Sequence, residues 1–475
     1  MTQTSNDSEP NIAAHPVTTV PISSTKTTGN IPPPPKTGFV GRCKELEQIT
    51  TALQNKTRCI TISGVEGQGK TCLAIEAARR LLDNVEVLQK AVFIDYNALV
   101  GMDAVDLAVK TLATVLEKDI KDVAVDILTA VPTLIIFDNV GTIPTESRGE
   151  FFELVKQWAE TGECRVLLTG QTTDFNNFSY DDKDLQFLPL AGLTEEDALE
   201  YFQRRFKLSP PAQTTSPQPF QLLQTFAQIA FNPLAISILT ISLKIYPWVE
   251  IENNLVKSLA KTPNQPLLAT LQLALESWQA EVRLSGWQYW LAKLFKRATS
   301  QKLDLNQQTL ITLPRLGIFK GGVFEPDLLE ITDFSKKQWQ LLCSILENTG
   351  LIQFEFLPAF KVPYIKFHSA LAPILLSQFT SEEERIKVLI DYQQRYAQLA
   401  AFLFYEEGRD TVRIHALARQ DLPNLLHAVY GALDANEKWT IKFANQVKLF
   451  LDIFALKRDS AVLQRHIDQI KKVKG

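Results

Sequence analysis

Between about residue 38 and residue 190, short apolar or β-branched runs alternate with amphipathic stretches. The runs are Cys59–Ser63, Ala91–Ile94, Thr133–Phe137, Arg165–Thr169 and Gln186–Leu190. Strand-length runs separated by helical patterns predict a parallel sheet with helices on both faces. The pattern then becomes helical over 194–260, opened by Thr194 as a helix cap with Asp197 three positions on, and broken by the Pro- and Ser-rich stretch 209–218. The longest apolar run, Ile229–Leu243, contains Asn232, Pro233, Ser237, Thr240 and Ser242, which predicts a buried helix rather than a membrane span.

From about 265 to 380, helical stretches are interrupted by Gly350–Phe356 and Val362–Phe367, whose alternation suits a small β-hairpin. From Ser381 onward the pattern is helical, with one turn expected around Asp421–Pro423 and no internal repeat. The first 36 residues are rich in Ser, Thr and Pro and have little to bury, so a flexible tail is expected there. The expected divisions are 1–36 tail, 37–190 α/β domain, 191–262 helical subdomain, 263–380 third domain and 381–475 helical extension.

Composition narrows the function. The chain has 475 residues, 45% apolar and 21% charged, with 49 basic against 53 acidic side chains and a net charge of −4. That balance removes the bulk electrostatic argument for nucleic acid or an anionic membrane as main partner. Five cysteines, scattered without paired or His-flanked spacing, argue against a disulfide framework or a zinc site. With no signal-peptide pattern, a cytoplasmic protein is expected.

Chemistry concentrates in Gly64-Val65-Glu66-Gly67-Gln68-Gly69-Lys70-Thr71, a G-x-x-x-x-G-K-T loop between a predicted strand and a helix that begins at Cys72. Such a loop wraps phosphates in backbone amides at a helix N-terminus; Lys70 would reach the β- and γ-phosphates and Thr71 would ligate Mg²⁺. The companion carboxylate is expected at the end of an apolar strand, where Leu134-Ile135-Ile136-Phe137 leads into Asp138. Asn139 follows instead of a second acid, so no general base is evident and slow turnover, or none, is expected. Thr169, at the tip of the next strand, is a candidate γ-phosphate sensor or a simple turn residue.

Together these residues make the chain resemble the STAND class of P-loop NTPases, and within it the NB-ARC branch found in plant disease-resistance proteins, apoptotic protease activators and bacterial signalling proteins. Phe39-Val40-Gly41-Arg42 is similar to that family's segment over the adenine, with Cys43 at the usual Glu position. Phe231-Asn232-Pro233-Leu234-Ala235 is similar to its G-L-P-L motif, with Asn232 as a departure, and the segment Leu190–Phe202 is similar to the start of its first helical subdomain. Phe367-His368-Ser369-Ala370-Leu371 is similar to its M-H-D motif, with Ser369 replacing the acid. Gln171 stands where relatives commonly carry a sensing arginine. The resemblance covers about 37–380.

The resemblance implies a P-loop domain, a helical bundle, a winged helix and an all-α extension, with ATP or ADP and Mg²⁺ as cofactors. It implies nucleotide contacts from Val40, Arg42, Gly64, Gly67, Gly69, Lys70, Thr71, Cys72, Thr169, Pro233 and His368, metal contacts from Thr71 and Asp138, and catalytic roles for Lys70 and Asp138. The implied function is a signalling switch, closed with ADP and opening or oligomerising with ATP; apart from the resemblance, the C-terminal helices are the candidate place to receive a signal or dock a protein partner. The alternative is a nucleotide-regulated transcription regulator that uses the winged helix to bind DNA. Its electrostatic footprint is thin, since basic and acidic residues nearly balance over 263–380 and Lys293, Lys296 and Arg297 form the only tight cluster. Nucleic acid and membrane are therefore not the expected partners.

Overall fold

The computed structural model describes residues 29–55, 57–83, 88–97, 102–117, 125–176, 178, 184–208, 217–262, 265–280, 312–357, 360, 362–379, 381–435 and 439–474. The basic cluster at 293–297, most of the 209–218 break and residues 1–28 lie outside them.

All five expected strands form one parallel sheet. They are β1 (Cys59–Ser63), β2 (Lys90–Asp95), β3 (Thr133–Asp138), β4 (Arg165–Gly170) and β5 (Leu185–Pro189), in the order β2-β3-β4-β1-β5. The central strands are buried on both sides, which is why they read as unbroken apolar runs. Alternate residues serve opposite cores. Leu134 and Ile136 face α1 (Cys43–Gln54) and α2 (Lys70–Leu82), whereas Ile135 and Phe137 face α3 (Ala104–Val115) and, beyond the short α4 (Val125–Ala130), α5 (Arg148–Ala159). The chain engages this domain earlier than residue 37. The Asn30 carboxamide exchanges hydrogen bonds with the backbone of Phe93 on edge strand β2, at 2.7 and 2.8 Å.

Helices α6 (Glu195–Leu208), α7 (Pro219–Gln228), α8 (Pro233–Ile245) and α9 (Trp248–Lys261) follow. Thr194 caps the first of them, accepting from Asp197 N at 3.1 Å. The next helix, α10 (Pro266–Ala280), packs on α8 and α9. The helical unit therefore runs past the boundary expected at 262: the turn before Pro266 reads as a linker, yet Leu267, Leu271 and Ala274 join the same buried cluster.

A small antiparallel sheet comes next, made of β6 (Gly322–Phe324), β7 (Ile352–Glu355) and β8 (Tyr364–Phe367) in the order β6-β8-β7. Between β6 and β7 lie α11 (Glu325–Thr332) and α12 (Lys336–Thr349), the latter opened by a Ser335/Gln338 capping box and closed by left-handed Gly350. The short α13 (Leu371–Leu376) leads to the extension: α14 (Glu382–Glu406), α15 (Thr411–Gln420), α16 (Leu422–Asp434), α17 (Thr440–Ile453) and α18 (Lys457–Lys474).

The single expected turn at Asp421–Pro423 is present, but the helical run is also broken after Glu406, Asp434 and Ile453. Asp410 accepts from Arg413 N to cap α15, and α17 ends on Ala455 at φ 56°, a left-handed stop made without glycine. One apolar cluster runs from the helical unit through the three-stranded unit into the extension. Among the described residues no helix is long and apolar enough to cross a membrane.

Candidate functional site

The C-terminal ends of β1, β3 and β4 and the N-terminus of α2 converge, and the expected chemistry lies there. Gly67 and Gly69 take φ values of 79° and 88°, which favour glycine. A methyl group on Gly67 would come within 2.7 Å of the Asn232 carboxamide, and one on Gly64 within 2.7 Å of Leu190 O; beside Gly69 nothing lies within 4 Å. The loop is thus packed tightly on one side and open where α2 begins. Lys70 Nζ donates to Gly64 O and Val65 O, both at 2.9 Å. Burial lowers the proton affinity of its ammonium, while Glu66, Asp138 and Asp174 act in the other direction.

Asp138 is buried at 2% exposure and collects three side-chain donors. Thr71 Oγ1 donates to Oδ1 at 2.8 Å, Thr169 Oγ1 to Oδ1 at 2.6 Å, and Asn139 Nδ2 to Oδ2 at 2.9 Å. Thr169 Oγ1 in turn accepts from Asn139 N at 3.0 Å. Burial pushes the Asp138 carboxyl up to about 7, the charge of Asp95 adding to the effect, and Thr169, Thr71 and Lys366 opposing it. Among the described residues no group of three His, Cys, Asp or Glu side chains could hold a metal ion. Thr71 and Asp138 nevertheless present hard oxygen donors beside the open end of the loop, which fits Mg²⁺ completing its shell with phosphate and water oxygens. Cys72 follows in the first turn of α2, where it is exposed.

Three further segments close around the loop. Arg42, at φ 59° and 7% exposed, donates to Gln68 O at 3.3 Å, Ala191 O at 2.5 Å and Gly192 O at 3.1 Å. Its guanidinium ties the phosphate loop to the strand-to-helix connection, with Val40 buried beside it. Asn232 caps α8 by accepting from Ala235 N at 3.1 Å and donates to Glu66 O at 2.8 Å, so Pro233 at the start of α8 is held against the loop.

From the three-stranded unit, His368 follows β8 directly. Burial lowers its basicity, against Glu66 and assisted by Lys70, so its ring lies in the field of the loop. His368 Nδ1 accepts from Ala370 N at 3.1 Å, which leaves Nε2 to carry the proton. Gln171 caps the short 3₁₀ turn after β4 together with Asp174.

The structure therefore gathers Lys70, Thr71, Asp138, Thr169, the three loop glycines and His368 in one place, with Arg42, Val40 and Pro233 around them. Four residues absent from the sequence-based set belong to the same assembly: Asn232, Asp95, Asn97 and Lys366. The Lys366 ammonium meets Asp95 Oδ2 at 2.6 Å, and Asn97 Nδ2 donates to Phe367 O at 3.2 Å. Asn232 lay within a motif but read as a departure from it; the other three carry no local signal.

The loop between a central parallel strand and a helix, with a strand-end acid two strands away bonded to the loop's threonine, is a P-loop NTPase architecture. No family model matches the chain, and no curated protein does. Among solved structures, the chain is similar to the signal transduction ATPase with numerous domains (STAND) protein of Pyrococcus horikoshii that carries a tetratricopeptide repeat sensor, at 13% identity and TM-score 0.48. That match covers 94% of this chain and 66% of the other, so the chain spans just under two thirds of that relative. It is also similar to a Walker-type ATPase of Pyrococcus abyssi, at 11% identity and TM-score 0.36, covering 73% and 99%. The Orc1 protein of Aeropyrum pernix, solved with DNA, gives 13% identity and TM-score 0.35, covering 72% and 93%.

Proposed function

We propose that this chain is an adenine-nucleotide-operated switch of the NB-ARC type. It is closed when ADP lies between the P-loop domain, the helical unit and the three-stranded unit, the last acting as a winged-helix lid. Lys70, the loop glycines and Thr71 hold the phosphates, and Thr71 and Asp138 hold Mg²⁺. Thr169 senses the terminal phosphate through Asp138, and Val40, Arg42, Cys72 and Pro233 line the base and sugar side. The observation that carries this reading is the docking of β8 on the sheet edge beside Asp138, where Lys366 meets Asp95 at 2.6 Å and Asn97 donates to Phe367 O at 3.2 Å, so that His368, the next residue, comes from a different unit of the fold. A lid residue at the phosphate end gives the two nucleotides different contacts, which any nucleotide-driven population shift requires.

In this reading ATP displaces the lid and copies of the chain associate. The C-terminal helices take a protein partner, and the setting is the cytoplasm, in keeping with five unpaired thiols. The test is to denature the purified protein and identify what it releases. ADP at one equivalent per chain is expected, and Lys70→Ala should bind ATP roughly 10- to 100-fold more weakly, the loss of a charge-assisted phosphate contact. A Lys70→Ala variant that retains nucleotide like the wild type would overturn the assignment.

A further inference from the structure

The sequence supplies no acid after Asp138, and all the oxygens of Asp138 are engaged by Thr71, Thr169 and Asn139. A carboxylate stands nearby for another reason. Parallel pairing of β2 with β3 places Asp95 opposite Asp138, each the last residue of its strand. Adjacent strands run about 4.8 Å apart, so the two acids open on the same edge of the sheet, and the charge of Asp95 is felt at Asp138. Asp95 is half-buried; Oδ1 accepts from Asn97 N at 2.8 Å and Oδ2 meets Lys366 Nζ at 2.6 Å.

Besides Asp138, the carboxylates that act on Lys70 are Glu66, which lies within the phosphate loop itself, and Asp174. Asp174 is committed within its own domain, accepting from Gln171 N at 2.6 Å and facing Arg148 at 3.5 Å. The restraint on Asp95 instead comes from β8, the strand that also delivers His368.

We propose that Asp95 is the general base for ATP hydrolysis and that Lys366 holds it idle while the three-stranded unit is docked. The inference rests on the nucleotide-switch reading above. While the pair holds, Oδ2 is taken by Lys366 and Oδ1 by Asn97 N, so the carboxylate has no disengaged oxygen to offer a water. Lys366, Phe367 and His368 are consecutive, and they contact Asp95, Asn97 and the field of the loop respectively. One movement of β8 therefore withdraws the histidine from the phosphate end and frees the base. The freed Asp95 carboxylate takes a proton from water as the water oxygen bonds to the γ-phosphorus. The bond from that phosphorus to the β,γ-bridging oxygen breaks, with the electron pair leaving on ADP, and Asp95 returns the proton to the released phosphate.

The 475-residue chain tests this with three measurements: binding of a fluorescent ATP analogue, single-turnover hydrolysis of bound ATP, and thermal unfolding without nucleotide. Lys366→Ala should raise the hydrolysis rate several-fold. Adding Asp95→Asn to it should lower the rate about 100-fold or more, with ATP affinity within about threefold of wild type. Asp95→Glu should keep part of the activity. Without nucleotide, the two single variants should each lower the melting temperature, and the double variant no further than either, as expected of one pair.

A double variant that hydrolyses ATP as fast as Lys366→Ala would sink the base, as would Asp95→Asn failing to bind ATP where Asp95→Glu binds it. Melting shifts that simply add would sink the restraint, and bound ATP that neither the wild type nor Lys366→Ala hydrolyses would overturn the proposal. A wild-type chain that binds no ATP removes the switch reading itself, a result the binding measurement reads separately.

Discussion

Asn232 joins two units with a single carboxamide. Its oxygen caps α8 and its nitrogen donates to Glu66 O, and the side chain is 1% exposed, so neither bond has a water substitute at hand. Asn232→Ala loses a cap worth about 1 kcal/mol and leaves a carbonyl without its donor, a further loss of about 1–3 kcal/mol. Asn232→Asp keeps the cap but has no hydrogen to donate when ionised. Both variants should bind nucleotide more weakly, while only Asn232→Ala should speed amide exchange in the first turn of α8. Wild-type affinity in Asn232→Asp would show that the bond to Glu66 does not shape the loop. The glycine loop, Asp138 and Thr169 are legible in the sequence because each sits at the end of an apolar strand, where the run of hydrophobic residues stops. Asp95 and Lys366 are not, since their partnership arises from strand register and from docking between units far apart in the chain.

At the scale of elements, strands buried on both faces announce themselves, and the five runs of the main sheet fall within a residue or so of their bounds. Helix ends made by ordinary residues do not, as left-handed Ala455 illustrates, and a turn before a proline looks the same whether it separates domains or only helices. Within the apolar seam between the extension and the three-stranded unit lies a polar cluster that the sequence does not announce. Asn424 Nδ2 donates to Gly322 O at 2.8 Å and to Asp421 Oδ1 at 2.6 Å, its Oδ1 accepts from Lys320 N at 2.8 Å, and Tyr392 donates to it from α14 at 2.9 Å. Burial pushes the Asp421 carboxyl up to about 7, with Asp327 adding to the effect and Asn424, Tyr396 and Tyr364 opposing it.

In the unfolded chain an aspartate titrates near about 3.9. Between that value and 7 the folded protein holds a proton that the unfolded chain has released. The contribution of Asp421 to stability therefore falls as pH rises through this window and is level above it. Asp421→Asn, which keeps an acceptor for Asn424, should match the wild type near pH 4 and melt higher at pH 8, with a gap on the order of a few kcal/mol. Parallel melting curves for the two proteins across that range would refute the buried, protonated carboxyl.

The first domain keeps its own apolar clusters and is tied to the rest of the molecule by polar contacts, whereas the helical unit, the three-stranded unit and the extension share one. Lys366 and Asn97 join the three-stranded unit to the sheet, Ser237 Oγ donates to Thr349 O at 2.7 Å between the helical and three-stranded units, and the last helix returns to the first domain. There Asp103 N donates to Asp459 Oδ1, 356 residues away, and Arg458 faces Asp103, Asp106 and Glu150 at 3.6, 3.8 and 2.5 Å. Arg458 is nearly half exposed, and ion pairs of this kind contribute only about 0–1 kcal/mol each. A seam so weak holds only while the others do, and relative motion of the units is the expected behaviour once one of them opens. Arg458→Glu turns three attractions into repulsions without touching the phosphate loop or β8. At low salt its radius of gyration in solution scattering should exceed that of the wild type and bound nucleotide should leave faster. Both differences should fade at about 1 M salt, where charges are screened within about 3 Å. Identical scattering and release at low salt would mean that the terminal helix rests on the first domain without restraining it, and that closure depends on β8 alone.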